Sequence, residues 1–295
     1  MNDDPTMSLR DWLDRAQDEH LKAPRAVAEA LLARAATLPD DEHGAEAVRL
    51  AEHVMLGHLA DADSLQRLLD QLPVAPALAA ARQRAAWALA TLAGDEAPAE
   101  LPIAAQWRGL QNVVLALAGR GRWSDAADAL RRPEAQALVH AELDARKAYA
   151  ATANNVASEL RACLPQHGEQ AAAHAAPHVA LMLDAAARAR RAWAAAGSWL
   201  HIERAEYQLA LCHAAAGQGR TALVHAQSCL SICEAEAADA VERFFAHEAL
   251  VLAQRAAGEV QAAADHRMQM RALLAEITDP DMLAWCGQTL EGLRP

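Results

Sequence analysis

The sequence predicts an all-α protein built of antiparallel helix pairs, and three observations carry that reading. Apolar residues fill 53% of the 295 positions while aromatics fill only 4%, because alanine supplies much of the apolar content. Alanine has the highest helix propensity and the smallest side chain, so such a chain favours closely approaching helices over thick aromatic cores. Apolar residues also recur at helical intervals, whereas period-two runs of β-branched and aromatic residues are missing, which leaves strands without support. Finally, a glycine followed five residues later by an alanine recurs at Gly121/Ala126, Gly168/Ala173, Gly217/Ala222 and Gly258/Ala263.

Taken in order, Ser8 is placed to cap a helix carrying Leu9, Trp12, Leu13 and Ala16, and Pro24 to open a second through Val27, Leu31 and Leu32. Further helices are expected over Ala45–Leu59, Ser64–Leu72 and Pro76–Leu92, separated by Asp61-Ala-Asp63 and Pro73-Val-Ala-Pro76. The stretch from Gly94 to Pro102 holds two prolines and three acids without apolar periodicity, so a domain boundary is expected there. Beyond it, each recurring glycine follows an apolar helix and precedes an alanine-rich one. Glycine takes up the backbone conformation that ends a helix, and the alanine lets two helices cross closely.

The net charge of −12 and a pI near 5.5 repel phosphates, and the short basic piece Arg188-Ala-Arg190-Arg191 does not offset them, so nucleic acid is not expected as a partner. No charge-free apolar run reaches the roughly 18 residues of a membrane span, and Met1-Asn-Asp-Asp lacks the basic start of a signal peptide, so no membrane partner and a cytoplasmic location are expected. The five cysteines, Cys163, Cys212, Cys229, Cys233 and Cys286, form no CxxC pair and suit reduced core thiols.

Specific residues then point to a family. Gly121-Arg-Trp123-Ser-Asp-Ala126 resembles the Gly-Asp-Tyr-x-x-Ala turn of tetratricopeptide repeats, with Trp123 at the aromatic place and Val113-Val114 as the pair ahead of the turn. Leu209-Ala210 before Gly217 and Leu250-Val251 before Gly258 fit the same register, and Val156-Ala157 fits it with the turn before Gly168 enlarged by Leu164-Pro-Gln-His167. The glycine spacings of 47, 49 and 41 exceed the usual 34, which resembles the irregular long repeats of kinesin light chains and of bacterial peptide-sensing regulators. The resemblance implies a right-handed α-solenoid, a tetratricopeptide-like superhelix. Residues 1–93 would be degenerate repeats or a separate helical subdomain, 103–276 the repeat array, and 277–295 a capping helix.

It also implies a site. Asn154-Asn155-Val156-Ala157 is similar to the Asn-Asn-Leu-Ala of kinesin-light-chain-type repeats, whose polar pair faces a concave groove. The equivalent pairs are Gln111/Asn112, Asn154/Asn155, Tyr207/Gln208 and Glu248/Ala249. A side-chain amide has both donors and an acceptor, so a row of them would hold an extended peptide backbone without reading its side chains. Arg108 and Arg204 stand one turn ahead of such pairs and would favour an acidic guest if they face the groove. The expected function is therefore a non-enzymatic scaffold or sensor that binds a peptide or protein segment through Asn154, Asn155, Gln111, Asn112, Tyr207, Gln208, Arg108 and Arg204. The alternative is a structural solenoid whose groove is filled by its own terminal helix, with Asp281–Leu293 as the candidate, or by a second copy in a homodimer.

Metal and enzyme chemistry find less support in the sequence. His174 and His178 stand four apart, but Pro177 between them is expected to interrupt or start a helix. His225 and Cys233 lie about 12 Å apart along a helix, too far to share an ion. No HExxH, GxSxG, GxxxxGK[ST] or GxGxxG motif is present, so neither a cofactor nor a resident metal is expected, and a metal-assisted enzyme ranks third.

Overall fold

A computed structural model describes residues 7–96, 101–164 and 169–293, with the backbone alone for 169–175. Among them every regular element is helical, and no helix is long and apolar enough to cross a membrane. The chain divides into two compact units, Met1–Ala135 and Gln136–Pro295.

The first unit opens with α1 (Leu9–Glu19), α2 (Pro24–Arg34) and α3 (Glu42–Glu52). Ser8 caps α1 by accepting from the Asp11 amide, and Pro24 sits in the first turn of α2, as the sequence leads one to expect. The helix of α3 does not end at Glu52. It widens into a π-helical segment, His53–His58, in which the Leu59 amide bonds the Val54 carbonyl five residues back. Asp61 then caps α4 (Ala62–Gln71) through the Ser64 amide, so this helix starts two residues before the expected Ser64. After a 3₁₀ turn at Pro76–Leu78 come α5 (Ala79–Ala93), α6 (Ile103–Gly119) and α7 (Trp123–Arg131). Because α6 packs on α5 and on the π-helical segment, both α6 and α7 belong to the first unit. The division thus falls well after the proline-rich stretch where the sequence suggested it.

A short helix, α8 (Glu134–Val139), straddles the division. The second unit then runs through α9 (Leu143–Ala162), α10 (Glu169–Ala196), α11 (Trp199–Ala215), α12 (Gly219–Ala235), α13 (Ala240–Ala257), α14 (Val260–Leu273) and α15 (Pro280–Gly292). Consecutive helices pack as pairs, α9 with α10, α11 with α12 and α13 with α14. The first members also touch one another in sequence order, α9 to α11, α11 to α13 and α13 to α15. Pro177 lies inside α10, which continues through it rather than breaking as expected. Proline removes one backbone bond, and the packing of this long helix along α9 outweighs that loss.

The recurring Gly/Ala motif has its physical basis here. Gly121, Gly217 and Gly258 have φ of +73°, +71° and +80°, and their partners Ala126, Ala222 and Ala263 are buried at helix crossings. Gly168 lies outside the described residues, and so does the side chain of Ala173. The large-small pairs Val113-Val114, Val156-Ala157, Leu209-Ala210 and Leu250-Val251 are all buried. Gly219 meets a different demand. A Cβ there would fall 2.3 Å from the Ala257 nitrogen, so the start of α12 and the end of α13 touch backbone to backbone. At the far end, Cys286 and Leu290 of α15 and Leu293 just after it join Phe244, Val251, Met270 and Ile277 in one apolar cluster, packed against α13 and α14.

Candidate functional site

Within the second unit, the first members of successive pairs enclose a groove of about 340 Å³. It is lined by Asn154 of α9, Glu203, Arg204, Tyr207 and Gln208 of α11, Val241, Glu242 and Phe245 of α13, and Met282 and Trp285 of α15. Its apolar wall is continuous across three helices. Tyr207 meets Phe245 edge-on with ring centroids 6.0 Å apart, and Phe245 in turn lies 4.7 Å from Trp285. Trp285 is 54% exposed, unusual for so large an apolar ring, and thus offers a face at the rim.

The polar lining is divided between committed and available groups. The Tyr207 hydroxyl donates to Glu248 at 2.7 Å, which fixes the ring against the wall. Burial first, and then the neighbouring carboxyl, hold this phenol well above its usual range, so it stays a neutral donor. Gln208 is buried, and its amide makes a weak 3.6 Å contact to the Cys212 sulfur. Asn154 is half-buried, and its amide forms no hydrogen bond among the described residues. Arg204 grips Glu242 through both Nε and Nη2, and its own pKa is raised chiefly by that bond. Glu203 is buried beneath it, accepting from the Cys229 thiol at 2.8 Å, while its second oxygen, Oε2, has no hydrogen-bond partner. Burial, with the adjacent Glu242 adding to it against the pull of Cys229, raises the Glu203 carboxyl to about 7.

Four residues expected from the sequence therefore meet in one groove: Asn154, Arg204, Tyr207 and Gln208. Asn155 does not line it. It is exposed, as a helix rotation of about 100° per residue requires when its neighbour faces inward. Arg108, Gln111 and Asn112 lie on α6 in the first unit and line no part of this groove. Asn112 is buried there, its amide donating to Glu52 at 2.9 Å and its carbonyl oxygen facing His53 at 3.0 Å, so it serves the core rather than a guest. His201 caps the start of α11 by bonding Ser198. Arg204, from which an acidic guest was expected, is already paired with Glu242 across the groove.

Among the described residues, two clusters have donor sets suited to a metal. One ligand atom each of Glu203, Cys229 and Cys233 lies within 4.8 Å of the others, and all three residues are buried. Bonding with Cys233 first, then burial and the neighbouring Glu203, push the Cys229 thiol far above its usual range, so it remains a proton donor to Glu203, as a packed core thiol does. The other is His20, His53 and His58, which sequence spacing did not reveal. The pair read from the sequence fares differently: the His174 side chain lies outside the described residues, and His178 is buried with its Nε2 donating to the Leu160 carbonyl at 2.6 Å. His225 bonds Glu206 instead of reaching Cys233.

Comparison with known proteins adds no identity to this geometry. The chain matches no protein-family profile, and no curated protein matches it in sequence.

Proposed function

We propose that residues 136–295 form a tetratricopeptide-like array, a solenoid of helix pairs, that holds a short peptide or a protein segment in the groove between α9, α11, α13 and α15. The observation that carries this reading is the pairing of side-chain amides, Asn154 and Gln208, with the aromatic wall of Tyr207, Phe245 and Trp285 in one groove of about 340 Å³. The amides suit the N–H and C=O groups of a guest backbone. The wall suits one apolar side chain inserted between Phe245, Met282 and Trp285. With Glu203 and Glu242 beside it, the inserted residue is not acidic. The activity proposed is binding, without chemistry on the guest.

A random peptide library displayed on phage and selected against the full chain tests this. Enriched peptides are expected to share an apolar anchor. A Trp285→Ala variant is expected to lose about 10- to 30-fold in affinity for them, the loss expected for an aromatic ring that the guest's anchor covers, while keeping the fold because the ring is half in solvent. Failure to enrich any sequence, or enriched peptides that bind the variant equally well, would remove the groove from this role.

A further inference from the structure

The first unit brings three imidazoles to one point. His20 is the C-terminal cap of α1, and α1 packs against α3. His53 and His58 begin and end the π-helical segment that continues α3. On an α-helix two residues five apart point about 140° away from each other. The wider π-turn, bonded from residue to residue five on, brings them over one another. The His53 and His58 Nε2 atoms are 3.1 Å apart, and the centroids of the three rings are separated by 4.5, 5.2 and 5.4 Å. One ligand nitrogen from each ring falls within 4.8 Å of the other two.

These dimensions suit an ion at the centre. A tetrahedral zinc with bonds of about 2.0–2.1 Å sets its ligand nitrogens about 3.3–3.4 Å apart. The far side of two rings is also held as a metal ligand requires. The His20 Nδ1 faces the Gln17 carbonyl at 2.5 Å and the His53 Nδ1 faces the Asn112 carbonyl oxygen at 3.0 Å. Each acceptor fixes the proton on Nδ1 and so places the ring's unprotonated nitrogen at Nε2, the atom that turns towards the other rings in His53. Behind His53 the support continues inward: Asn112 donates to Glu52, which also receives Arg84 at 2.7 Å. Gly57 makes room for this relay, because a Cβ there would stand 3.0 Å from the Asn112 oxygen and 3.2 Å from the His53 Nδ1. A buried carboxylate, an amide and a glycine are thus arranged to orient one imidazole.

We propose that His20, His53 and His58 bind a zinc-type divalent transition-metal ion, leaving a fourth coordination position open. All three rings are half-buried, so solvent reaches the cluster and the fourth position can take water or an exogenous ligand. Imidazole ligands favour zinc, cobalt, nickel or copper over magnesium or calcium, which prefer oxygen. The site belongs to the unit 1–135 and stands independently of the peptide groove.

The test uses the purified full chain, freed of metal, titrated with Zn²⁺ against a chromogenic chelator and separately with Co²⁺, whose visible spectrum reports coordination geometry. One equivalent is expected to bind, with a tetrahedral cobalt spectrum and a rise in Tm on adding zinc. His20→Ala and His58→Ala are each expected to weaken binding by about 100-fold or more and to abolish the zinc-dependent rise in Tm. His247→Ala, in the other unit, is expected to change neither. Circular dichroism establishes which variants are folded, and His20→Ala, at a helix end, keeps the test open if His58→Ala does not fold. Absence of stoichiometric binding, or binding that survives His20→Ala or disappears with His247→Ala, would overturn the proposal and leave the three rings as a hydrogen-bonded cluster.

Discussion

Replacing Glu203 with glutamine should stabilise the protein above neutral pH and leave it nearly unchanged in acid. Glu203 is buried, has one oxygen with no partner and lies beside Glu242, and its carboxyl is raised from 4.5 to about 7. The folded state therefore holds a proton that the unfolded chain releases near pH 4.5. The stability this provides is fully present below pH 4.5 and is lost as pH rises through about 7. At 1.36 kcal/mol per unit, a rise of this size corresponds to about 3 kcal/mol at most, and water entering from the groove lowers it to roughly 1–3 kcal/mol. Glutamine keeps an acceptor for the Cys229 thiol and carries no proton that titrates. Urea unfolding followed by circular dichroism at pH 4.5 and pH 8 gives the comparison. The wild type should lose about 1–3 kcal/mol more than Glu203→Gln between the two values. Parallel pH profiles for the two proteins would refute the assignment of a proton to Glu203.

Gly219→Ala should cost about 3 kcal/mol, at the upper end of the overpacking range, because the new Cβ would meet the backbone of Ala256 and Ala257 rather than flexible side chains; a thermal melt should show a fall of several degrees. Ala237, between α12 and α13, has φ of +50°, so Ala237→Gly should raise the urea midpoint slightly, the relieved strain of about 1 kcal/mol exceeding glycine's added chain entropy. Burial, then His266 and Arg243, depress His247 to about 4, so its contribution to stability is present above about pH 6.5 and lost as pH falls towards 4. In His247→Gln the urea midpoint should accordingly fall less between pH 7 and pH 4.5 than in the wild type.

Local signals in the sequence were enough to place most elements. Ser8 and Pro24 start helices where they should, and Gly121, Gly217 and Gly258 take the positive φ that ends a helix. Each of these depends on groups within a few residues, which a single sequence displays. The groove was legible in part: Asn154 came from the resemblance of Asn154-Asn155-Val156-Ala157, Arg204 from its place one turn ahead of a polar pair, and Tyr207 and Gln208 from their offsets of ten and nine residues before Gly217. Asn112 has the same offset yet lies inside a core, since its fate depends on Glu52, sixty residues away. The histidine cluster was hidden for a related reason. His53 and His58 diverge under α-helical periodicity and converge only in the π-helical register, and His20 joins them from another helix. The Trp285 rim was likewise obscured, because a lone tryptophan in a capping helix does not disclose that Phe245 and Tyr207 extend its wall.

The most direct measurement of the central claim compares two adjacent single variants, Asn154→Ala and Asn155→Ala, by the affinity each retains for a peptide selected against the wild-type chain. Asn154 lines the groove and Asn155 does not. Loss of about one hydrogen bond's worth of affinity, roughly 5- to 10-fold, in the Asn154 variant alone is the predicted result. Equal losses, or a loss confined to Asn155→Ala, would contradict the account.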